Sequence, residues 1–102
     1  MVSVAGRLDM TSAGALEQEL EAVIDGGHLR LAIDLSDLEY LSSAGLRALL
    51  VAARRLQEVQ GKLVLVGLRG TVKEVLELSG LANVIPAYAS EAELIGALPD
   101  WR

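Results

Sequence analysis

Residues 62–67 read KLVLVG, an unbroken aliphatic run held between a lysine and a glycine. A run so short and so continuously apolar predicts a central β-strand covered on both faces. Such a strand cannot stand alone: it needs neighbouring strands on both sides and helices over the faces. The rest of the chain has to supply both.

It does so in alternation. Leu29, Leu31, Ile33 and Leu35 alternate with Arg30, Ala32 and Asp34, the period of a strand with one apolar face. MVSVAGRL, residues 1–8, alternates in the same way, with Val2, Val4 and Leu8 against Ser3, Ala5 and Arg7. ANVIPAY offers a brief edge strand, a place where Pro86 is tolerated because no partner needs its missing N–H. Between these runs the spacing becomes helical. Thr11 and Ser12 precede a stripe of Leu16, Leu20, Val23 and Ile24 that Gly26 and Gly27 end. Leu46, Leu49, Leu50, Ala53 and Leu56 form a second stripe closed by Gly61, and Val72, Val75, Leu76 and Leu78 a short third one stopped by Gly80. Ser90-Glu91-Ala92-Glu93 has the form of a capping box before Leu94, Ile95 and Leu98, with Pro99 as the stop. Strands separated by helices of this length predict an α/β domain with parallel pairs, either three-layered or covered on one side.

At 102 residues the chain is read as one domain, 1–102. Its core must be aliphatic, since 52% of residues are hydrophobic while Phe is absent and the only aromatics are Tyr40, Tyr88 and Trp101. The lack of cysteine excludes disulfides and thiolate metal sites and suits a cytoplasmic protein. A net charge of -5 argues against a nucleic-acid partner, whose phosphates need a basic face. No apolar run approaches the roughly 20 residues that cross a bilayer, so no membrane insertion is expected, and MVSVAGRLDM lacks the pattern of a secretion signal.

Enzyme chemistry is hard to find. A nucleophilic serine needs a base, the sole histidine is His28 in a glycine turn, and no serine lies in a G-x-S-x-G elbow. Glu17, Glu19 and Glu21 are spread around a helix and read as a solvated face, while Asp34, Asp37 and Glu39 lack EF-hand spacing. Neither GLRG nor GRLD is a phosphate loop. No catalytic residue, metal or cofactor is expected, which leaves a binding module.

Its most unusual stretch is DLEYLSSAGLRALL, Asp37 to Leu50, where a strand ends near Leu35, a loop crosses SDLEYL and a helix starts at two serines. Unpaired N–H groups and the positive end of the helix dipole meet at that start. Ser42 or Ser43 can simply cap the helix while Gly45 admits a close-packed neighbour. A cap serine is equally a good phosphate acceptor, because a helix N-terminus stabilises the added charge. The residues alone leave both readings open.

Three segments together resemble the STAS family, the domain of anti-sigma factor antagonists and of the cytoplasmic tails of sulphate transporters. GRLDMTSAGALEQEL is similar to the family's G-x-L-D segment and first helix. LAIDLSDLEYLSSAGLRALL is similar to its central strand, loop and helix start, where many antagonists read D-S-[ST]-G-L. KLVLVGLRGTVKEVLELSGLANVIPAY is similar to the third strand, the L-S-G-L helix end and the strand beyond. The resemblance implies a mixed sheet of about four strands packed with about four α-helices.

It also implies a mechanism. The family's phosphorylated serine lies two residues before the motif glycine, which puts that role on Ser43, with Ser42 as second choice. Ser42 stands where many antagonists carry Asp, and Ala44 where they carry a second Ser or Thr. Asp9 stands where the family carries an acid near the phosphorylation loop; a purely local role, bonding its own turn, is the competing reading. The implied docking surface comprises Asp9, Ser42, Ser43, Ala44, Gly45, Leu46 and Arg47, and Arg54 and Arg55 serve either solubility or the acidic rim of a partner. Unphosphorylated, such a domain binds an anti-sigma factor that is a GHKL-type serine kinase; phosphorylation releases it and a PP2C-type phosphatase resets it. The alternatives are a non-switching STAS scaffold and a soluble subunit of a lipid or anion transporter. Members often begin with a strand before the one carrying G-x-L-D, whereas this chain starts almost inside that strand. An edge left uncovered in this way would invite a homodimer.

Overall fold

A computed structural model of the chain describes residues 2–101, with the backbone alone at Ala82. In chain order the elements are β1 (Val2–Ser3), β2 (Gly6–Leu8), α1 (Ala13–Asp25), β3 (Arg30–Asp34), β4 (Leu38–Leu41), α2 (Ser43–Glu58), β5 (Lys62–Val66), α3 (Gly70–Leu78), β6 (Ala87–Tyr88) and α4 (Glu91–Ala97). Short 3-10 turns at Leu81–Asn83 and Pro99–Trp101 complete the path.

The KLVLVG run is β5, and it lies inside a four-stranded sheet of order β1-β3-β5-β6. Leu63, Val64, Leu65 and Val66 are all buried, as a strand covered on both faces requires. One face, through Leu31, Ile33, Leu63 and Leu65, joins the main core with Leu16 and Leu20 of α1, Leu49 and Leu56 of α2, and Val72 and Leu76 of α3. The other face, through Ala32, Val64 and Val66, is covered by Leu94 of α4 with Tyr88, Leu98 and Trp101 packed against it. The domain is therefore three-layered, with α4 on one side and the larger helices on the other. A four-stranded sheet and four α-helices are as the resemblance implies. The expected mixed sheet differs in one respect: all four pairings among the described residues are parallel. Each paired strand reaches its partner through a crossover rather than a hairpin, which forces the same direction.

The alternation over residues 1–8 predicts one strand; its described part, residues 2–8, forms two, and Met1 lies outside the described residues. Val4 N–H donates to the Asp34 carbonyl at 3.0 Å, and Gly6 N–H donates to the Asp37 carbonyl at 3.0 Å, so the segment changes partner from β3 to β4. Gly6 makes that change with a φ of 75°, a left-handed conformation glycine tolerates, and the register shifts between Gly6 and Arg7. The partner strand bends too. SDLEYL is not a loop, because Leu38–Leu41 forms β4, paired parallel with β2. Its pattern hid it: Leu35, Leu38 and Leu41 are buried at intervals of three with exposed Glu39 and Tyr40 between, which breaks the alternation that marks a strand.

One smaller expectation is corrected in the same way. Leu78 is 88% exposed although it was counted with the third stripe; Val72, Val75 and Leu76 share the inward face of α3, and Leu78 points away from it. Gly61 closes α2 as expected, its N–H donating to the Leu56 carbonyl at 2.6 Å, and the left-handed residue just before it is Gln60, with a φ of 62°. No helix among the described residues is long and apolar enough to cross a membrane.

Candidate functional site

β2 and β4 end side by side, with Leu8 opposite Leu41, and each runs straight into the start of a helix. The carboxyl ends of parallel strands thereby bring the Asp9–Ser12 turn and the Ser42–Arg47 segment together. One atom fastens them: the Leu8 carbonyl accepts the Ser42 backbone N–H and the Ser42 hydroxyl, each at 2.9 Å.

The Ser42 hydroxyl is used twice. While donating to Leu8, its Oγ accepts the Gly45 N–H at 3.2 Å, capping one of the orphan donors of α2, and the Ser42 carbonyl accepts Leu46 N–H at 3.0 Å to open the helix. Ser42 is the N-cap, in extended conformation. Ser43 is the first helical residue, and its side chain is exposed with no hydrogen-bond partner for its hydroxyl among the described residues. The two adjacent serines therefore have opposite situations.

Gly45 is buried, and its neighbours explain why a side chain is missing there. A Cβ would lie 2.8 Å from Leu41 Cδ1 and 2.8 Å from Leu8 Cγ, so only glycine lets the first turn of α2 rest on the ends of both strands. Ala44 and Leu46 are half-buried, with Leu46 packed against the main core. Arg47 is exposed and forms no ion pair among the described residues, as does Arg54. Arg55, read from sequence as serving either solubility or a partner's acidic rim, does a third thing: it bonds Glu21 at 2.9 Å and Asp25 at 3.0 Å, tying α2 to α1.

The start of α1 is organised by Asp9 instead of by its N-cap. Asp9 Oδ1 accepts the Thr11 hydroxyl at 2.6 Å, the Thr11 N–H at 3.0 Å and the Ser12 N–H at 3.3 Å. Ser12 occupies the N-cap position, but its hydroxyl turns back to accept the Asp9 N–H at 3.0 Å and to donate to the Arg7 carbonyl at 2.9 Å, making no cap bond to the helix. The Thr11 hydroxyl, then the Thr11 N–H, hold the Asp9 carboxyl below its ordinary value, reinforced by Ser12. Its other oxygen faces the Arg7 guanidinium at 3.9 Å, and that guanidinium lies over the Tyr40 ring at 4.3 Å from its centroid.

The structure thus gathers Asp9 and Ser42–Arg47 at one end of the β2–β4 pair. Sequence reasoning missed the Leu8 carbonyl as the junction, and nothing in a leucine's identity announces that role. It also missed Met10, which is 82% exposed at the tip of the Asp9 turn, and the Arg7–Tyr40 stack. Alternation placed Arg7 on the outer face of its strand, but its pairing with Tyr40 depends on β4, which the pattern concealed.

The STAS domain model matches residues 1–94. The chain belongs to the STAS family. It is 46% identical over 85 residues to BtrV of Bordetella bronchiseptica, a proposed anti-sigma factor antagonist, covering 83% of this chain and 73% of that one. It is 32% identical over 95 residues to the anti-sigma-B factor antagonist of Listeria monocytogenes, covering 93% of this chain and 83% of the relative. The crystal structure of an anti-sigma factor antagonist from Mycobacterium paratuberculosis superposes with a TM-score of 0.85 at 34% identity, over 96% of this chain and 83% of that one.

Proposed function

We propose that this STAS domain is an anti-sigma factor antagonist switched by phosphorylation of Ser43. One observation carries the choice of residue: the Ser42 hydroxyl is spent on Leu8 and Gly45, whereas that of Ser43 is exposed and unengaged among the described residues. Relatives named as anti-sigma factor antagonists support the class of partner. Ser42 fills with a hydroxyl the capping role that an Asp could fill with a carboxylate, so the departure from D-S-[ST]-G-L keeps the cap that sets Ser43 as the first helical residue while removing a charge beside it.

Unphosphorylated, the domain docks the α2 start and the Asp9 turn on an anti-sigma factor that is a GHKL-type serine kinase. Ser43 Oγ attacks the γ-phosphorus of ATP; the Oγ–P bond forms as the bond to the β,γ-bridging oxygen breaks. ADP leaves and the hydroxyl proton passes to a base on the kinase. The phosphate adds about -1.5 to -2 charges at the positive end of the α2 dipole, where the free domain accommodates it. Inside the interface the same charge is desolvated and repelled. A loss of about 3 kcal/mol is enough for a hundredfold drop in affinity, so no refolding is needed. A PP2C-type phosphatase restores the hydroxyl by hydrolysis, releasing inorganic phosphate. The domain itself performs no chemistry and acts in the cytoplasm.

The test uses the GHKL-type kinases of the source organism, one by one, in calorimetric titrations. One of them binds the unphosphorylated domain and releases it after ATP is added, with affinity falling at least about a hundredfold. Equal affinity of the phosphorylated and unphosphorylated forms for every kinase would refute the switch.

A further inference from the structure

Besides the serine, the docking end carries exposed side chains on and beside a hydrogen-bonded turn. Met10 is 82% exposed, yet it stands on a turn fixed by the hydrogen bonds that Asp9 Oδ1 accepts from Thr11 and Ser12. Three residues before it, Arg7 reaches from Asp9 Oδ2, 3.9 Å away, to the Tyr40 ring at 4.3 Å, and Tyr40 is itself 40% exposed. Methionine, arginine and tyrosine are residue types enriched where protein interfaces are fully buried. A preorganised turn lowers the ordering cost of docking. The turn is also bound to the acceptor serine's helix, since Leu8, directly before Asp9, receives both donors of Ser42. A partner gripping Met10 therefore grips a body in fixed register with Ser43.

We propose that Met10 is the anchor and specificity-determining residue of the docking surface, entering an apolar pocket of the kinase that modifies Ser43 while the Arg7–Tyr40 stack packs at the pocket's rim. This rests on the switch reading above. Leu78 supplies an internal comparison: it is 88% exposed, but it sits at the far end of α3, where no hydrogen-bonded link to the α2 start exists among the described residues.

The experiment titrates the kinase that phosphorylates Ser43 with wild type, Met10→Ala, Met10→Leu and Leu78→Ala, with thermal melting of each variant as the folding control. Met10→Ala weakens binding about tenfold or more and raises KM for phosphotransfer with kcat little changed. Met10→Leu stays within about threefold of wild type, and Leu78→Ala within about twofold. Met10→Ala binding within twofold of wild type, to a kinase that still modifies Ser43, overturns the anchor and leaves the switch standing. Absence of any kinase that binds wild type and modifies Ser43 removes the switch and the anchor together.

Discussion

The two helices that begin beside each other solve the same problem by different means. Both α1 and α2 follow strands of one parallel pair, and both have serine at the N-cap position. At α1 the work falls to Asp9, three residues ahead of the cap, and Ser12 bonds backward to Arg7 and Asp9. At α2 the cap serine does the work itself, bonding forward to Gly45 and across to Leu8. The difference is instructive because a cap is required once per helix end. With Ser42 occupied, the next hydroxyl is superfluous to the fold, and Ser43 is left accessible at a helix N-terminus. At α1 every comparable polar group, Asp9, Thr11 and Ser12, is bound into the turn.

The sharpest way to break the contrast is to disturb the seat of α2. Gly45→Ala places a Cβ against Leu8 and Leu41, both nearly fully buried, and should cost about 1–3 kcal/mol by overpacking. Urea denaturation reads this as a lower midpoint; an unchanged midpoint would mean that the helix start is free to shift. Next in size is the serine pair. Ser42→Ala removes the cap and should cost about 1 kcal/mol, whereas Ser43→Ala should stay within about 0.5 kcal/mol of wild type. Equal losses in the two variants would erase the distinction between them.

The smallest effect belongs to the α1 side. Asp9 has a lowered pKa in the folded domain, so folding favours its ionised form. The contribution of this turn to stability is fully present above the ordinary carboxylate value of about 3.9 and is lost as pH falls through the lower folded value. An NMR titration following the Thr11 amide should show a midpoint below that ordinary value, and Asp9→Asn should abolish the step. A midpoint at or above it would mean that the Thr11 and Ser12 bonds do not hold in solution.

How much of this was legible in the sequence follows from the range of the interactions. The β5 run, the helical stripes apart from Leu78, and the Ser90 cap are local patterns that the fold uses as written, with the Ser90 hydroxyl accepting Glu93 N–H at 3.1 Å. β4 was not legible, because a bend at Leu35–Asp37 replaces the two-residue alternation with leucines at intervals of three. The division of roles between Ser42 and Ser43 was open for a different reason. Either residue could cap a helix, and the choice depends on a carbonyl 34 positions earlier in the chain. Asp9 illustrates the same limit: both its competing roles were visible, but its commitment to Thr11 and Ser12 required the geometry of the turn.

The claim that one hydroxyl holds the helix and its neighbour receives the phosphate is tested most directly by mapping the modification. Wild type, Ser42→Ala and Ser43→Ala are incubated with the cognate kinase and ATP, then digested and sequenced by mass spectrometry. A single phosphate is expected on Ser43 in wild type and in Ser42→Ala, and none in Ser43→Ala. Phosphate on Ser42, or transfer that survives in Ser43→Ala, would contradict it.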